Sequence, residues 1–538
     1  MPTPSARTRR ARATLAAAAL AAVAACARPP VHPALHPSVP PSVHPPFPTA
    51  AHRESAPVPR LTEPETSPET ELGRRSAEEV AQTVGLVDDD TLQQYVQAVG
   101  AKLAAESDRP GLPWTFQVVD DPTPNAFALP GGYIFVTRGL VDLLNSEAEL
   151  ATVLGHEIGH VAAGHLARHA GGGPLAPLGL GLGLGVALAS RLARYGDLAS
   201  TGLRLVFQKY DREEEHQADD LGFGYMLRLD YDVREMAGVL VTLRQGSRAA
   251  GQSALPGWRV THPYVSERLE RTRARLASLT RPRADTTGTA PLTNLVSNSA
   301  EYLRHVQGQV YGVNARRGFF QGSAFIHPDL RFRVDMPRGW QKRNLTAAVV
   351  AVSPRQDAIV QVTLAHQGDP ATAAQAFLSR PGIQAERALR DSVDGVPAVG
   401  GYFRASTDQG AVEGTVAYFE YDGRTYQLLA YAPAGRLAPY DAELRRTLVS
   451  FSPLVDPQLL NVQPHRIEVA LVDEPLSLVE FNTQNPSASP LDDVAHLNQL
   501  PTPAAQIPAG ELVKRVMEGW GKEEGAQTPE GRGWAQIP

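Results

Sequence analysis

The chain has 538 residues, 51 Lys and Arg against 57 Asp and Glu, a formal net charge of −6, 43% hydrophobic and 20% charged residues. That balance excludes a wholly disordered chain, and domains of roughly 100–200 residues predict several of them. The negative charge argues against an electrostatic grip on nucleic acid, and a single cysteine excludes an internal disulfide framework and a Cys-rich zinc cluster.

Residues 1–25 read as an export signal. Arg7, Arg9, Arg10 and Arg12 precede an Ala/Leu/Val run from Ala13 to Ala25, too short and too alanine-rich for a span of ~20 strongly apolar residues. The run ends in Val23-Ala24-Ala25-Cys26, which resembles a bacterial lipobox with Cys26 as the lipidated residue, and Ala27 after it points to the outer membrane. Residues 26–75 are dense in proline, which blocks helix and sheet and favours an extended tether.

Ordered sequence is expected from Ser76. Leu92, Tyr95, Val96, Val99 and Leu103 recur at helical spacing behind Asp88-Asp89-Asp90-Thr91, which offers N-caps. Trp114 to Val119 alternates like a strand, and Pro124 to Val136 reads as a turn feeding another. Ser146-Glu147-Ala148-Glu149 is a capping pattern that opens a helix predicted to run to about His169.

That helix carries His156-Glu157-Ile158-Gly159-His160. Positions i and i+4 share a helix face, so both imidazoles reach one ion, and the glutamate between them can stand beside a metal-bound water without ligating. An amphipathic helix with two solvated histidines would show the same five residues. Glu213 to Asp220 opens a later helix, with Glu215 and Asp219 again at i and i+4. A catalytic zinc needs a third protein ligand, which Glu215 can supply, while Asp219 can accept a hydrogen bond from the far nitrogen of a ligand histidine. The alternative for this acidic cluster is a solvated helix start.

Taken with Asn125 to Gly132 and Thr261-His262-Pro263, these motifs resemble gluzincin metallopeptidase family 48, which includes HtpX, LoiP, the CaaX prenyl proteases and BepA. The resemblance covers roughly Ser76 to Leu276. It implies one Zn²⁺ per chain held by His156, His160 and Glu215, with Glu157 as general base. It places His262 and Arg268 near the zinc as candidate oxyanion donors, with His262 also a removable blocking ligand. It makes Asn125 and Ala126 substrate-backbone contacts. Tyr133 to Val136, with Tyr133 and Phe135, is the expected exposed sheet edge for an extended peptide. Leu178 to Leu188, with glycine at every second position, is expected as a buried or lid-like hairpin. Nothing matches the membrane spans of HtpX or the prenyl proteases, and no period of ~34 residues marks a BepA-type repeat tail.

Downstream, residues 281–322 are a linker and connector. Residues 323–456 read as an α/β module with an antiparallel sheet; Asp422-Gly423 between two alternating runs signals a hairpin. Phe325-Ile326-His327-Pro328 and Met336 to Trp340 resemble the Mog1/PsbP type. Residues 462–518 resemble a divergent LysM module, a candidate for peptidoglycan binding, and 519–538 a flexible tail. The expected class is α+β: a mainly helical zincin domain with a small sheet at 76–280, then the two modules. The expected function is a zinc endopeptidase, lipid-anchored on the periplasmic side of the outer membrane, acting on unfolded or misfolded envelope polypeptides in quality control. The alternative is an envelope chaperone or scaffold with latent proteolysis.

Overall fold

The computed structural model describes residues 67–519, except 167, 169–208, 246–254, 256, 281–294, 347, 366–367, 394 and 408–409. The export signal, Cys26, the tether up to residue 66, the glycine-rich hairpin, the linker at 281–294 and the tail from 520 lie outside the described residues.

Helical structure begins earlier than the proline content suggests, with α1 at Pro68–Thr83. Ser67 caps it in a reciprocal capping box with Thr70, and Pro68 stands at the first helical position, where its missing N–H costs nothing. Arg109 then clasps Glu69 at 2.9 Å. Helix α2, Asp90–Ala105, is capped by Asp89, whose side chain accepts from Leu92 N–H.

Three short strands follow: β1 (Thr115–Val119), β2 (Ala126–Leu129) and β3 (Tyr133–Thr137). Their order is β1-β3-β2, with β3 parallel to β1 and antiparallel to β2. This corrects the expectation for Tyr133 to Val136. That segment is the middle of the sheet, paired on both sides, as its buried run Ile134-Phe135-Val136 requires. The outer strands are β1, which packs on α2, and β2, which packs on the helix at Glu147–Ala162.

Helices α3 (Arg138–Leu143), α4 (Glu147–Ala162), α5 (Arg212–Arg228), α6 (Glu235–Gln245), α7 (Trp258–Thr261), α8 (Val265–Thr280) and α9 (Ser299–Val306) complete this part. Helix α4 stops seven residues short of the expected His169, because Gly164 adopts φ +69 and turns the chain. Every residue from Glu147 to Val161 is buried, so α4 is an internal helix rather than an amphipathic surface one. Leu150, Leu154 and Ile158 pack with Val96, Phe116, Ile134 and Met226 in one core.

The next module is built on a seven-stranded sheet of order β10-β11-β12-β13-β9-β8-β7 and a four-stranded sheet of order β14-β6-β5-β4. In chain order these are β4 (Phe319–Gln321), β5 (Ala324–His327), β6 (Phe332–Asp335), β7 (Gln341–Asn344), β8 (Ala348–Val352), β9 (Ile359–Leu364), β10 (Ile383–Val393), β11 (Val396–Thr407), β12 (Gly410–Tyr421), β13 (Arg424–Pro433) and β14 (Ser452–Pro453). All their pairings are antiparallel. Asp422 and Gly423 both take positive φ, 50 and 69, in the two-residue turn joining β12 to β13, as the hairpin signal predicts. Helix α10 (Pro370–Leu378) covers one side of the large sheet through Phe377 on Phe403, and α11 (Asp441–Val449) serves the other core through Leu444 and Leu448. The whole is α+β, as expected.

The last described part pairs β15 (Arg466–Leu471) with β18 (Leu512–Met517) and β16 (Leu476–Ser477) with β17 (Gln506–Ile507), around α12 (Leu478–Gln484) and α13 (Leu491–Leu497). It is docked on the first part. Ile467, Val469, Leu497 and Val516 belong to the same core as α4, and Ile467 exchanges backbone hydrogen bonds with Gly308 and Gln309. Among the described residues no helix is long and apolar enough to cross a membrane.

Candidate metal centre

The centre starts from two helices that touch backbone to backbone. A Cβ placed on Gly222 of α5 would meet the carbonyl carbon of Gly155 at 2.7 Å, and one on Gly159 of α4 would meet Ala218 O at 2.8 Å. Glycine at these positions lets α4 and α5 approach closely enough for side chains on both to share one point. Helix α4 is capped by Ser146, whose hydroxyl accepts from Glu149 N–H, and α5 by a capping box between Asp211 and Glu214.

On α4, His156 and His160 stand one turn apart with their Nε2 atoms 3.0 Å from each other. From α5, Glu215 brings Oε1 to 3.5 Å of His160 Nε2 and Oε2 to 3.7 Å of His156 Nε2. His262, just beyond α7, adds Nδ1 at 3.0 Å from Glu215 Oε1 and 3.3 Å from His156 Nε2. Four ligand atoms around a tetrahedral zinc with bonds of about 2.0–2.2 Å are separated by ~3.4 Å. These contacts of 3.0–3.7 Å bracket that edge length, one donor atom from each of the four residues lies within 4.8 Å of the others, and the set is consistent with one catalytic zinc.

Protonation agrees with the geometry. Burial, helped by the charge of Arg268, pulls His156 down to about 4, and burial takes His160 well below the ordinary histidine value. Both rings are therefore neutral at pH 7 and have lone pairs to offer. His156 Nδ1 lies 2.9 Å from Asp219 Oδ1, which makes Nδ1 the protonated nitrogen and leaves Nε2 for the cluster. Burial pushes the Glu215 carboxyl up, but the charges of Arg268 and His262 overcome it and hold it well below the carboxylate range. Arg268 is itself buried, its Nε and Nη2 donating to both Asp219 oxygens at 2.7 and 2.6 Å and its Nη1 to Glu215. Three of its five N–H groups are thus spent on the carboxylates that back the centre.

Glu157 is fully buried, and neither carboxylate oxygen makes a hydrogen bond among the described residues. Its Oε1 lies 3.4 Å from His262 Nε2, which also lacks a hydrogen bond. Burial pushes the Glu157 carboxyl up to about 7. Asn125 and Ala126 lie at the start of β2, the strand that α4 packs on, and Pro124 O accepts from Trp258 N–H at 3.2 Å. Tyr133 and Phe135 sit on the central β3, away from any free edge.

Three residues at the centre escaped the sequence reading. Tyr210 stacks on the His160 ring with centroids 3.6 Å apart, and Trp258 stacks on His262 at 4.0 Å. His165 faces the back of His160. An aromatic near a site has no local signature, and His165 lies five residues on, off the face that helical spacing assigns to His156 and His160.

The neutral histidine pair, the distant carboxylate and the orphaned glutamate between them now stand together. Residues 90–276 match Peptidase family M48. Within the matched residues lie all four donors and Glu157. Over 213 residues the chain is 29% identical to the beta-barrel assembly-enhancing protease of Escherichia coli strain K12, covering 38% of this chain and 43% of that protein. Over 171 residues it is 32% identical to metalloprotease YcaL of the same strain, covering 31% and 64%. The chain thus spans less than half the length of the beta-barrel assembly-enhancing protease it matches. The solution structure of cyanobacterial PsbP from Synechocystis sp. PCC 6803 covers 25% of this chain and 94% of that chain at 14% identity, with a TM-score of 0.21.

Proposed function

We propose that the chain is a zinc-dependent endopeptidase of the bacterial cell envelope that hydrolyses peptide bonds in misfolded or mistargeted envelope proteins. One observation carries the reading: one donor atom from each of His156, His160, Glu215 and His262 lies within 4.8 Å of the others, with the unbonded carboxylate of Glu157 beside them. Zinc, when bound, supplies a Lewis acid that polarises a carbonyl and brings the pKa of a water from ~15.7 towards ~7. The chain's own residues do the rest. Glu157 accepts the proton of the attacking water and returns it to the leaving amine. Arg268 and Asp219 hold Glu215 and His156 in place, and His262 Nε2, 3.4 Å from Glu157 Oε1, can donate to a developing negative oxygen. An extended substrate adds along the outer edge of β2, past Asn125 and Ala126, since β3 is paired on both sides. Backbone recognition of that kind suits unfolded polypeptide, and the relatives named beta-barrel assembly-enhancing protease support an envelope role. The lipobox-like Val23 to Cys26 supports a lipid anchor on the periplasmic side of the outer membrane.

A second reading, a chaperone or scaffold with latent proteolysis, is favoured by one observation. His262 Nδ1 takes the fourth corner, and His156, His160, Glu215 and His262 are all 0–2% exposed, whereas a working zinc site keeps a vacant position. Comparing wild type with E157Q separates the two. The peptidase reading expects zinc-loaded wild type to cleave unfolded casein at least about 100-fold faster than E157Q. Equal rates overturn it, and full rescue of an envelope defect by E157Q establishes the scaffold.

A further inference from the structure

His165 takes no part in the donor set, yet it is completely buried against it. The turn at Gly164 (φ +69) ends α4 and swings the chain back, so that His165 Nδ1 lies 2.8 Å from His160 Nδ1. On its other side, His165 Nε2 lies 3.1 Å from Oε1 of Gln217, which α5 carries between Glu215 and Asp219.

The direction of this chain of contacts can be worked out from its far end. An amide oxygen only accepts, so the proton of the neutral His165 ring is on Nε2. Its Nδ1 is then a lone pair. Two ring nitrogens 2.8 Å apart form a hydrogen bond only if one donates, so His160 must carry its proton on Nδ1. That tautomer turns the His160 Nε2 lone pair towards Glu215 and His156. Tyr210 stacked on the ring face at 3.6 Å removes the remaining freedom to rotate.

We propose that His165 is a positioning residue of the metal centre: through Gln217, His165 and His160 it sets the tautomer and ring orientation of His160 and so tunes the affinity for zinc. The two ligand histidines are served differently. His156 is backed by the carboxylate of Asp219, which Arg268 neutralises, and His160 by a neutral ring. A neutral partner orients His160 without adding a further negative charge to a buried centre that already contains Glu215, Asp219 and Glu157.

The inference rests on the zinc reading above, and the test separates them. Zinc dissociation constants are measured on the full chain by competition with a chromophoric chelator, for wild type, H165L and H165Q. H165L, which cannot accept a proton, is expected to bind zinc about 10–100-fold more weakly. H165Q, whose amide oxygen can accept from His160 Nδ1, recovers most of the loss. Wild type that takes up no zinc overturns both readings. Wild type that binds zinc with a constant matched by H165L overturns this one alone, as does an equal loss in both variants accompanied by equally lowered melting of the metal-free proteins. A further measurement needs no substitution: ¹⁵N-histidine spectra of wild type should show His165 protonated on Nε2, and the opposite tautomer would refute the relay.

Discussion

At the scale of single residues, buried charge in this protein survives only where it is matched. Asp120 is 2.7 Å from Arg138 Nε and 3.1 Å from Arg317 Nε, and Arg138 also donates to the carbonyls of Val310 and Gly312. Burial pushes the Asp120 carboxyl up, but the two guanidinium groups overcome it and hold it below its ordinary value. A carboxylate depressed in the folded state contributes stability that is complete above its unfolded pKa of about 3.9 and vanishes as pH falls through the lower folded value. D120N is therefore expected to unfold in less urea than wild type at pH 7, by about 1.5–3 kcal/mol, the worth of hydrogen bonds to a charged group, since Arg138 keeps Asp142 at 3.5 Å and the two carbonyls. The gap should narrow below about pH 4, where the wild type itself loses the interaction. A gap that stays constant through the acid range would show that the carboxylate charge is not the cause.

Elements depend on backbone approach as much as on side chains. Helices α4 and α5 meet at Gly155, Gly159, Ala218 and Gly222, and a Cβ on Gly222 would collide with backbone rather than with a side chain that could move aside. G222V should cost about 1–3 kcal/mol through overpacking and push Glu215 away from the histidines. Thermal unfolding and chelator competition should register both effects together, and stability lost without weaker zinc binding would detach the helix contact from the site. Periodicity shows which faces of α4 and α5 carry His156, His160, Glu215 and Asp219, but not how near the two helices come. The same limit explains β3: an apolar run such as Ile134-Phe135-Val136 identifies a strand, while pairing on both edges is settled by β1 and β2 together. It also explains α1, where the Ser67–Thr70 capping box and Pro68 start a helix inside what composition suggests is tether.

For the whole molecule, the last module is part of the scaffold of the zinc helix. Lys514 of β18 is completely buried and donates to the carbonyls of Asp142 and Leu144, at the junction between α3 and α4, at 2.5 and 2.9 Å. Gln499 donates to Glu149 in the first turn of α4 at 2.9 Å, and Asn498 holds the Lys514 backbone at both N–H and C=O. K514M keeps the length of the side chain but leaves two buried carbonyls without donors, each costing about 1–3 kcal/mol. The melting temperature should fall by several degrees, and residues 90–276 should melt in the same transition as the module. Separate transitions, or an unchanged midpoint, would mean that the module is only a passenger.

Local chemistry within the sequence determined the helix caps, the hairpin turn at Asp422-Gly423 and the two i, i+4 pairs that frame a divalent ion, because each depends on groups only a few residues apart. Only the tertiary structure decided that His262 fills the fourth corner, that His165 and Tyr210 hold His160, that Arg268 is committed to carboxylates, and that residues 466–517 pack into the core of the zinc helix. Those contacts join segments between five and several hundred residues apart, and they form because buried polar groups and apolar faces must find partners wherever the packed backbone brings them.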